Sequence, residues 1–460
     1  MLRQVFEKTS EMPVSAQDLF AYHERPNAFR RLNPPWEPVE ILKHVGGIQD
    51  GAEVEMRLKI GPVPQRLALV HQGYIHGEQF QDRQTAGTFS YWLHTHRMEH
   101  LSEGRSLLRD KIEYQLPLGI LGKTFGSAFA RAKLERMFRY RHEVTRQDVA
   151  LHARFASVPS QTVAVTGASG LIGGQLVPLL TTGGHTVRRL VRRPVQEKDE
   201  IFWDIPQGFL NPSDLAGMSA VVHLAGENIG AKRWTEAQKR EILDSRTHGT
   251  RLLAETLAAM PNPPRTLVMA SAIGYYGDAG DEILTEDSAA GSNFQAEVCK
   301  AWEAAVEPAR QAGIRVVILR IGVVLAMNGG ALERLLLPFL LGAGGVVGTG
   351  RQYMSWIALD DVVQLLYSAV LDSNMEGVYN ASAPEPVTNR EFTRVLGRIL
   401  RRPTIAPLPA FAMRLVFGQL ADELLLGSLR VIPARLNAAG YTFRYPTLEP
   451  ALRHVLGRAE

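Results

Sequence analysis

The chain has 460 residues, 45% hydrophobic and 21% charged, with 51 basic against 47 acidic side chains and a formal net charge of +4. Such a length exceeds what one hydrophobic core usually organises and predicts two or three domains, while balanced charge without long runs of one sign excludes the electrostatic footprint of a nucleic-acid binder. No run of about 18 apolar residues exists to span a bilayer, the N-terminus carries no basic-then-apolar leader, and the single cysteine, Cys299, leaves no internal disulfide, so a soluble cytoplasmic protein is expected.

The first 150 residues predict a strand near Val5, a short helix over 15–23, and strands around 37–45, 52–60, 66–76, 86–99 and 105–115. An amphipathic helix follows over 123–142, with Phe125, Phe129, Leu134, Met137 and Phe138 for one face. A curved antiparallel sheet gripping one long helix is the natural packing of that order. Nine of the thirteen histidines lie in the first third of the chain, at 23, 44, 71, 76, 94, 96, 100, 142 and 152. His94 and His96 share a strand face with Trp92. With no carboxylate or third histidine at ligand spacing, the pair reads as a polar cavity lining or a solvent face, and no metal is expected. The element order, with Pro34-Pro35-Trp36, Phe80-Gln81-Asp82, the run from Trp92 to His96, and Asp110, resembles the SRPBCC, or START-like, helix-grip domains. The resemblance covers 1–150 and implies a cavity for an apolar or amphipathic ligand.

From 160 to about 385 strands and helices alternate, with strands at 162–166, 186–191, 220–224, 266–270, 315–319 and near 378–380, the pattern of a parallel sheet covered on both faces. The first strand runs into Gly167, Gly170 and Gly173. Gly167 permits a sharp turn, Gly170 lets the backbone approach a pyrophosphate, and Gly173 lets the next helix pack closely; Ser169, Leu171 and Ile172 complete a dinucleotide-binding turn. Free amides and the dipole at that helix start favour an anion. The second strand ends in Arg192-Arg193, where a carboxylate would serve a free ribose 2′-hydroxyl. Arginine suits a 2′-phosphate, so NADP(H) is favoured over NAD(H), with a solvated basic loop as the alternative. The third strand ends in His223-Leu224-Ala225-Gly226, whose small residues allow adenine and ribose to lie against the backbone, and Trp203-Asp204 is read as an adenine contact. Residues 386–460, with Asn389 as a helix N-cap, complete a substrate lobe. The crevice beyond the strand ends predicts substrate contacts from Glu227, Arg233, Arg246 and Arg320; Arg233 or Arg246 would clamp an anion, with ion pairing inside the fold as the alternative for each arginine.

Taken together, the stretches 166–173 (Thr-Gly-Ala-Ser-Gly-Leu-Ile-Gly), 223–226, 271–277 (Ser-Ala-Ile-Gly-Tyr-Tyr-Gly) and 356–361 (Trp-Ile-Ala-Leu-Asp-Asp) resemble an extended short-chain dehydrogenase/reductase. Gly226-Glu227, Arg233-Trp234, Ser245-Arg246, Trp302-Glu303, 319–325 and Gly350-Arg351-Gln352 narrow this to the atypical, epimerase-like subfamily, and the resemblance spans 160–460. It implies a Rossmann-type doubly wound α/β sheet with a C-terminal substrate lobe, here preceded by an α+β helix-grip domain. The implied activity is an NADP(H)-dependent oxidoreductase or epimerase-like reaction on a small organic substrate.

Standard members of that superfamily pass a proton through a tyrosine acidified by a lysine four residues later. Lys300 is the matching lysine, but Ala296 stands four residues before it, and a one-residue shift gives Gln295 and Cys299. The partner hydroxyl, four residues before Tyr276, falls on Ala272, with Ser271 adjacent. The proton source is thus left among Ser271, Tyr275, Tyr276, Cys299 and Lys300. A non-catalytic NADP(H) sensor coupled to the ligand domain is the rival reading.

Overall fold

The computed structural model describes residues 3–60, 63–117, 119–230 and 232–458, with side chains described at all of these except 59, 60, 63 and 119–125. The chain divides into two compact units: Met1–Pro159 with Pro178–Gly184 and Leu456–Ala459, and Ser160–Val177 with His185–Val455 and Glu460.

In the first unit β1 (Gln4–Met12) is followed by α1 (Ala16–Glu24) and α2 (Ala28–Arg31). A meander comes next: β2 (Val39–Val45), β3 (Glu53–Ile60), β4 (Val63–Ile75), β5 (Gln79–Ala86), β6 (Tyr91–Ser102) and β7 (Arg105–Gln115). Ser15 caps α1 by accepting the Asp18 N–H at 3.1 Å. The strands form one antiparallel sheet in the order β1-β7-β6-β5-β4-β3-β2. The long helix α3 (Gly119–Arg154) continues well past His142, where the sequence reading ends it. Its buried stripe is Leu134, Phe138, His142, Thr145 and Val149, spaced three and four apart. Phe129 falls off that stripe and is 68% exposed, while the Phe125 side chain lies outside the described residues. The strand expected over 86–99 corresponds to β6, and β5 is a strand that the sequence does not predict. Gln79–Ala86 is polar on both faces except for Phe80, so its period-two signal is weak. Two apolar clusters fill this unit, one around Phe20, Phe80, Met98 and Leu108, the other around Phe6, Ile112, Tyr114, Leu134 and Phe138.

In the second unit β8 (Thr162–Thr166), α4 (Gly173–Thr182, whose residues from Pro178 onward are grouped with the first unit), β9 (Thr186–Val191), β10 (Glu200–Asp204), β11 (Phe209–Leu210), β12 (Ala220–His223), α5 (Glu236–Ala258) and β13 (Thr266–Ala272) succeed one another. A short 3-10 turn, Ile273–Tyr276, leads by way of β14 (Ile283–Leu284) to α6 (Phe294–Ala304), α7 (Glu307–Gln311) and β15 (Arg315–Ile321). After β16 (Val323–Leu325), α8 (Gly330–Leu340), β17 (Tyr353–Met354), β18 (Trp356–Ala358) and α9 (Leu359–Leu371), the strand β19 (Gly377–Ala381) completes the main sheet. Its order is β11-β10-β9-β8-β12-β13-β15-β19, parallel except at β11. The strand order reverses between β8 and β12. Such a switch point opens a crevice at the carboxyl ends of the strands, where ligands of doubly wound sheets bind.

β10 is a strand the sequence reading did not place. Trp203 lies in it at 1% exposure, so this indole is a core side chain and not an adenine contact. Further on, Thr388 rather than Asn389 caps the helix Asn389–Leu400, accepting the Glu391 N–H, because the Asn389 side chain is buried and accepts the Val347 N–H at 2.9 Å. Among the described residues no helix is long and apolar enough to cross a membrane.

Candidate functional site

The turn after β8 is shaped by close approach of backbone to backbone. Gly167 has φ +65°, and a Cβ there would lie 2.8 Å from the Leu224 carbonyl; a Cβ on Gly173 would lie 2.3 Å from the Gly167 oxygen. Gly173 is therefore required because the turn folds over the start of α4. A Cβ on Gly170 would meet only the Gly167 oxygen, at 3.2 Å, and Gly170 and Ser169 are exposed while Leu171 and Ile172 are half-buried. This leaves an open backbone concavity at a helix start.

Thr166 ties that turn to the end of β12. Its buried Oγ1 accepts the N–H groups of Leu224 (3.0 Å) and Ala225 (3.1 Å), so its own proton goes to His223 Nδ1 at 2.8 Å. His223 Nε2 then carries the ring proton and donates to Thr250 Oγ1 at 2.9 Å, where the Trp302 indole N–H also arrives. Burial lowers the His223 pKa to about 4 and keeps the ring neutral for this role. Sequence reasoning saw His223 only as part of a motif.

The two arginines after β9 differ. Arg193 grips Glu200 with both terminal nitrogens, Nη1 at 2.9 Å and Nη2 at 2.5 Å, and Glu200 also accepts the Gln196 N–H. The Arg193 guanidinium, with that backbone bond, holds the Glu200 carboxyl down at about 2. Arg192 is exposed, and among the described residues no ion pair to it is present. Asp204 is half-buried at the end of β10 and accepts the Gln207 N–H.

Beyond β13 and β15 the register lines up three polar residues: Ser271 pairs with Arg320, and Arg320 with Asn380. Glu303, one turn after Cys299 on α6, faces this row. Arg320 donates to both Glu303 oxygens (2.9 and 2.8 Å) and to the Tyr276 hydroxyl (3.0 Å), Ser271 donates to Glu303 at 2.7 Å, and Tyr276 donates to Asn380 at 2.7 Å. This corrects the expectation that Arg320 holds substrate, since its guanidinium is committed inside the fold. Burial pushes the Tyr276 phenol up in pKa, against the pull of Arg320, so it is not the acidified phenol of standard relatives. The Tyr275 ring lies under the Arg320 guanidinium, 3.3 Å from its carbon, and among the described residues its hydroxyl makes no hydrogen bond. Cys299 is buried, donates to the Ala272 carbonyl at 3.6 Å, and burial beside Glu303 pushes its thiol up to about 11. Lys300 is exposed, with its Nζ 3.5 Å from the Gly291 oxygen.

Of the other expected substrate contacts, Arg246 donates to the Ile242 and Glu227 carbonyls (3.1 and 2.9 Å) and stacks on Trp302. Both partners are neutral, so its charge meets no carboxylate among the described residues. Burial lowers its pKa. Glu227 is half-buried with its N–H on Ser245 Oγ, and Arg233 is exposed.

The first unit holds a second polar cluster that overturns the solvent-face reading of His94 and His96. Asp82 stands opposite His94 across β5 and β6, and Asp110 opposite His96 across β6 and β7. The carboxylates that linear spacing did not show are cross-strand neighbours. Asp110 lies against His94 Nε2 (2.9 Å), His96 Nδ1 (2.6 Å) and His142 Nε2 (2.7 Å); Asp82 lies against His71 Nε2 (2.9 Å), His96 Nε2 (3.3 Å) and His94 Nδ1 (3.5 Å). One atom each of Asp82, His94 and His96 lies within 4.8 Å of the others, the spacing of a metal-holding group.

With this geometry in view, the comparisons with known proteins become interpretable. The NAD dependent epimerase/dehydratase family model matches residues 163–382, and a domain of unknown function, DUF1731, matches 408–455. Epimerase family protein Mb2239 of Mycobacterium bovis is 44% identical over 296 residues, covering 64% of this chain and 98% of that protein. The chain belongs to the epimerase family. Among solved structures, this family member is similar to the nucleoside-diphosphate sugar epimerase from Corynebacterium glutamicum, with TM-score 0.81 and 32% identity over 98% of this chain and 90% of that one. Both units are therefore covered by that likeness. Human epimerase family protein SDR39U1 (isoform2), solved with NADPH, matches at TM-score 0.59 and 36% identity over 64% of this chain and 98% of its own.

Proposed function

We propose that the second unit is an NADP(H)-dependent oxidoreductase or epimerase-like enzyme acting on a small anionic organic substrate. The observation that carries this is the glycine turn at Gly167, Ser169, Gly170, Leu171, Ile172 and Gly173, exposed at Ser169 and Gly170 and set at the switch point of a parallel sheet, together with the exposed Arg192, to which no ion pair is made among the described residues. Those amides would hold the pyrophosphate, Leu224, Ala225 and Gly226 would border the adenosine with Asp204, and Arg192 would take the 2′-phosphate, with Arg193 held back by Glu200. The bound nicotinamide would supply or accept the hydride. The related human protein solved with NADPH supports this choice of nucleotide. Tyr275 is the phenol left to a substrate, Arg246 with Glu227 is the cation-bearing edge of the crevice, and Ser271, Tyr276 and Arg320 brace Tyr275. The C-terminal residues 386–460, with Arg233, serve as the substrate lobe, and the first unit serves as an SRPBCC-like ligand domain.

The test is consumption of NADPH with panels of carbonyl, enone and nucleotide-sugar substrates. Sustained turnover that falls at least about 100-fold in Tyr275→Phe, as general acid–base groups contribute, supports the assignment. Turnover that survives Tyr275→Phe removes Tyr275 from the chemistry. A sensor reading is favoured by one observation, that Ala296 and not a tyrosine stands one helical turn before Lys300 on α6; tight NADPH binding with no consumption on any panel would support it.

A further inference from the structure

We propose that Asp82, His94 and His96 of the first unit form a divalent transition-metal site, with Asp110 as the carboxylate that orients both histidines. The inference does not rest on the nucleotide assignment.

Both ring nitrogens of His94 face a carboxylate, and so do both ring nitrogens of His96. A neutral imidazole has one N–H, so each ring in that form aims a lone pair at a carboxylate. Charging one ring alone still leaves the other aiming a lone pair at a carboxylate, and making both rings imidazolium would set two like charges with centroids 3.8 Å apart inside the core.

A cation removes the conflict. His94 Nδ1 and His96 Nε2 both face Asp82 Oδ2, at 3.5 and 3.3 Å. Three donors at metal-bond length around one ion at tetrahedral angles are separated by about 3.4 Å. With those atoms on the ion, the opposite nitrogens of both rings carry the ring protons on the Asp110 side, His94 Nε2 2.9 Å and His96 Nδ1 2.6 Å from Oδ1, the carboxylate–histidine–metal arrangement that fixes ring tautomer and orientation. His71 would donate to the outer oxygen of Asp82, and His142 to that of Asp110. Two positive charges then balance two buried carboxylates, and the nearby Arg141 guanidinium leaves the site with an excess that favours an anionic oxygen at an open coordination position. Phe80 stacked on His96 and Phe138 edge-on to His94 wall the group in apolar surroundings. Imidazole with carboxylate and no thiolate selects first-row divalent ions such as Zn²⁺ or Fe²⁺.

The test uses tag-free full-length protein stripped with chelator and titrated with Co²⁺. One equivalent should give visible ligand-field bands, displaced by Zn²⁺; Asp82→Asn and His94→Gln should abolish them, and Asp110→Asn should weaken binding by about 10–100-fold while keeping the bands. Should those variants fail to fold, anomalous diffraction from Zn²⁺-soaked wild-type crystals should place a peak about 2.0–2.2 Å from the three ligands. Absence of stoichiometric Co²⁺ binding by the wild type, bands retained in the ligand variants, or an anomalous peak elsewhere overturns the proposal.

Discussion

The two polar clusters are both buried and both built across adjacent strands, yet they balance differently. Around Arg320 in the second unit one guanidinium meets one carboxylate, and Ser271, Tyr276 and Asn380 absorb the remaining bonds. Around Asp82 and Asp110 in the first unit, acceptors crowd nitrogens that cannot all carry protons. A closed network is architecture; an over-supplied one is a place for something else. The same contrast recurs on a smaller scale between Arg193, held by Glu200, and Arg192, which is not.

The largest effect that would sharpen this comparison is expected at Arg320. Arg320→Met should cost about 3–5 kcal/mol in urea unfolding, because Glu303 is left charged in the core, and adding Glu303→Leu should restore more than half. An Arg320→Met loss within experimental error would break the idea of a closed pair. In metal-free protein Asp82→Asn should change stability by no more than about 2 kcal/mol, since it relieves crowded acceptors instead of orphaning a cation. For nucleotide binding measured by calorimetry, Arg192→Ala should weaken NADPH by about tenfold or more and leave NADH unchanged, as a charge-assisted bond is worth roughly 1.5–3 kcal/mol. Arg193→Ala should alter NADPH affinity by less than about threefold; the reverse ranking would show that the committed arginine is the phosphate ligand. The smallest readout is Cys299. With its thiol raised from 9.0 to about 11, alkylation at pH 8 should run about 100-fold slower than in the unfolded chain. Stability should also decline as pH rises above 9.0, because the unfolded state releases that proton first.

What the sequence made legible was local. The strand, the three glycines and the helix of the nucleotide turn follow one another directly along the sequence, and the turn forms with Gly167 at φ +65° and Gly173 pressed against the turn's own backbone. β10 and β5 escaped: one is a short strand beside a charged loop, the other a polar strand whose interior face holds Asp82, so neither shows the apolar alternation by which strands are recognised. The carboxylates beside His94 and His96 were hidden for a related reason. They are neighbours through strand register, 12 and 14 residues away, and no linear spacing rule reaches them. Glu303 stood in a quoted motif, yet its partner Arg320 is joined to it only by the packing of α6 on the sheet.

The Thr166 hydroxyl has one more consequence. By fastening the amides of Leu224 and Ala225, it stitches the floor of the crevice before any nucleotide arrives. Association then orders little of the chain at this point, and the entropic cost of capture falls mainly on the flexible dinucleotide.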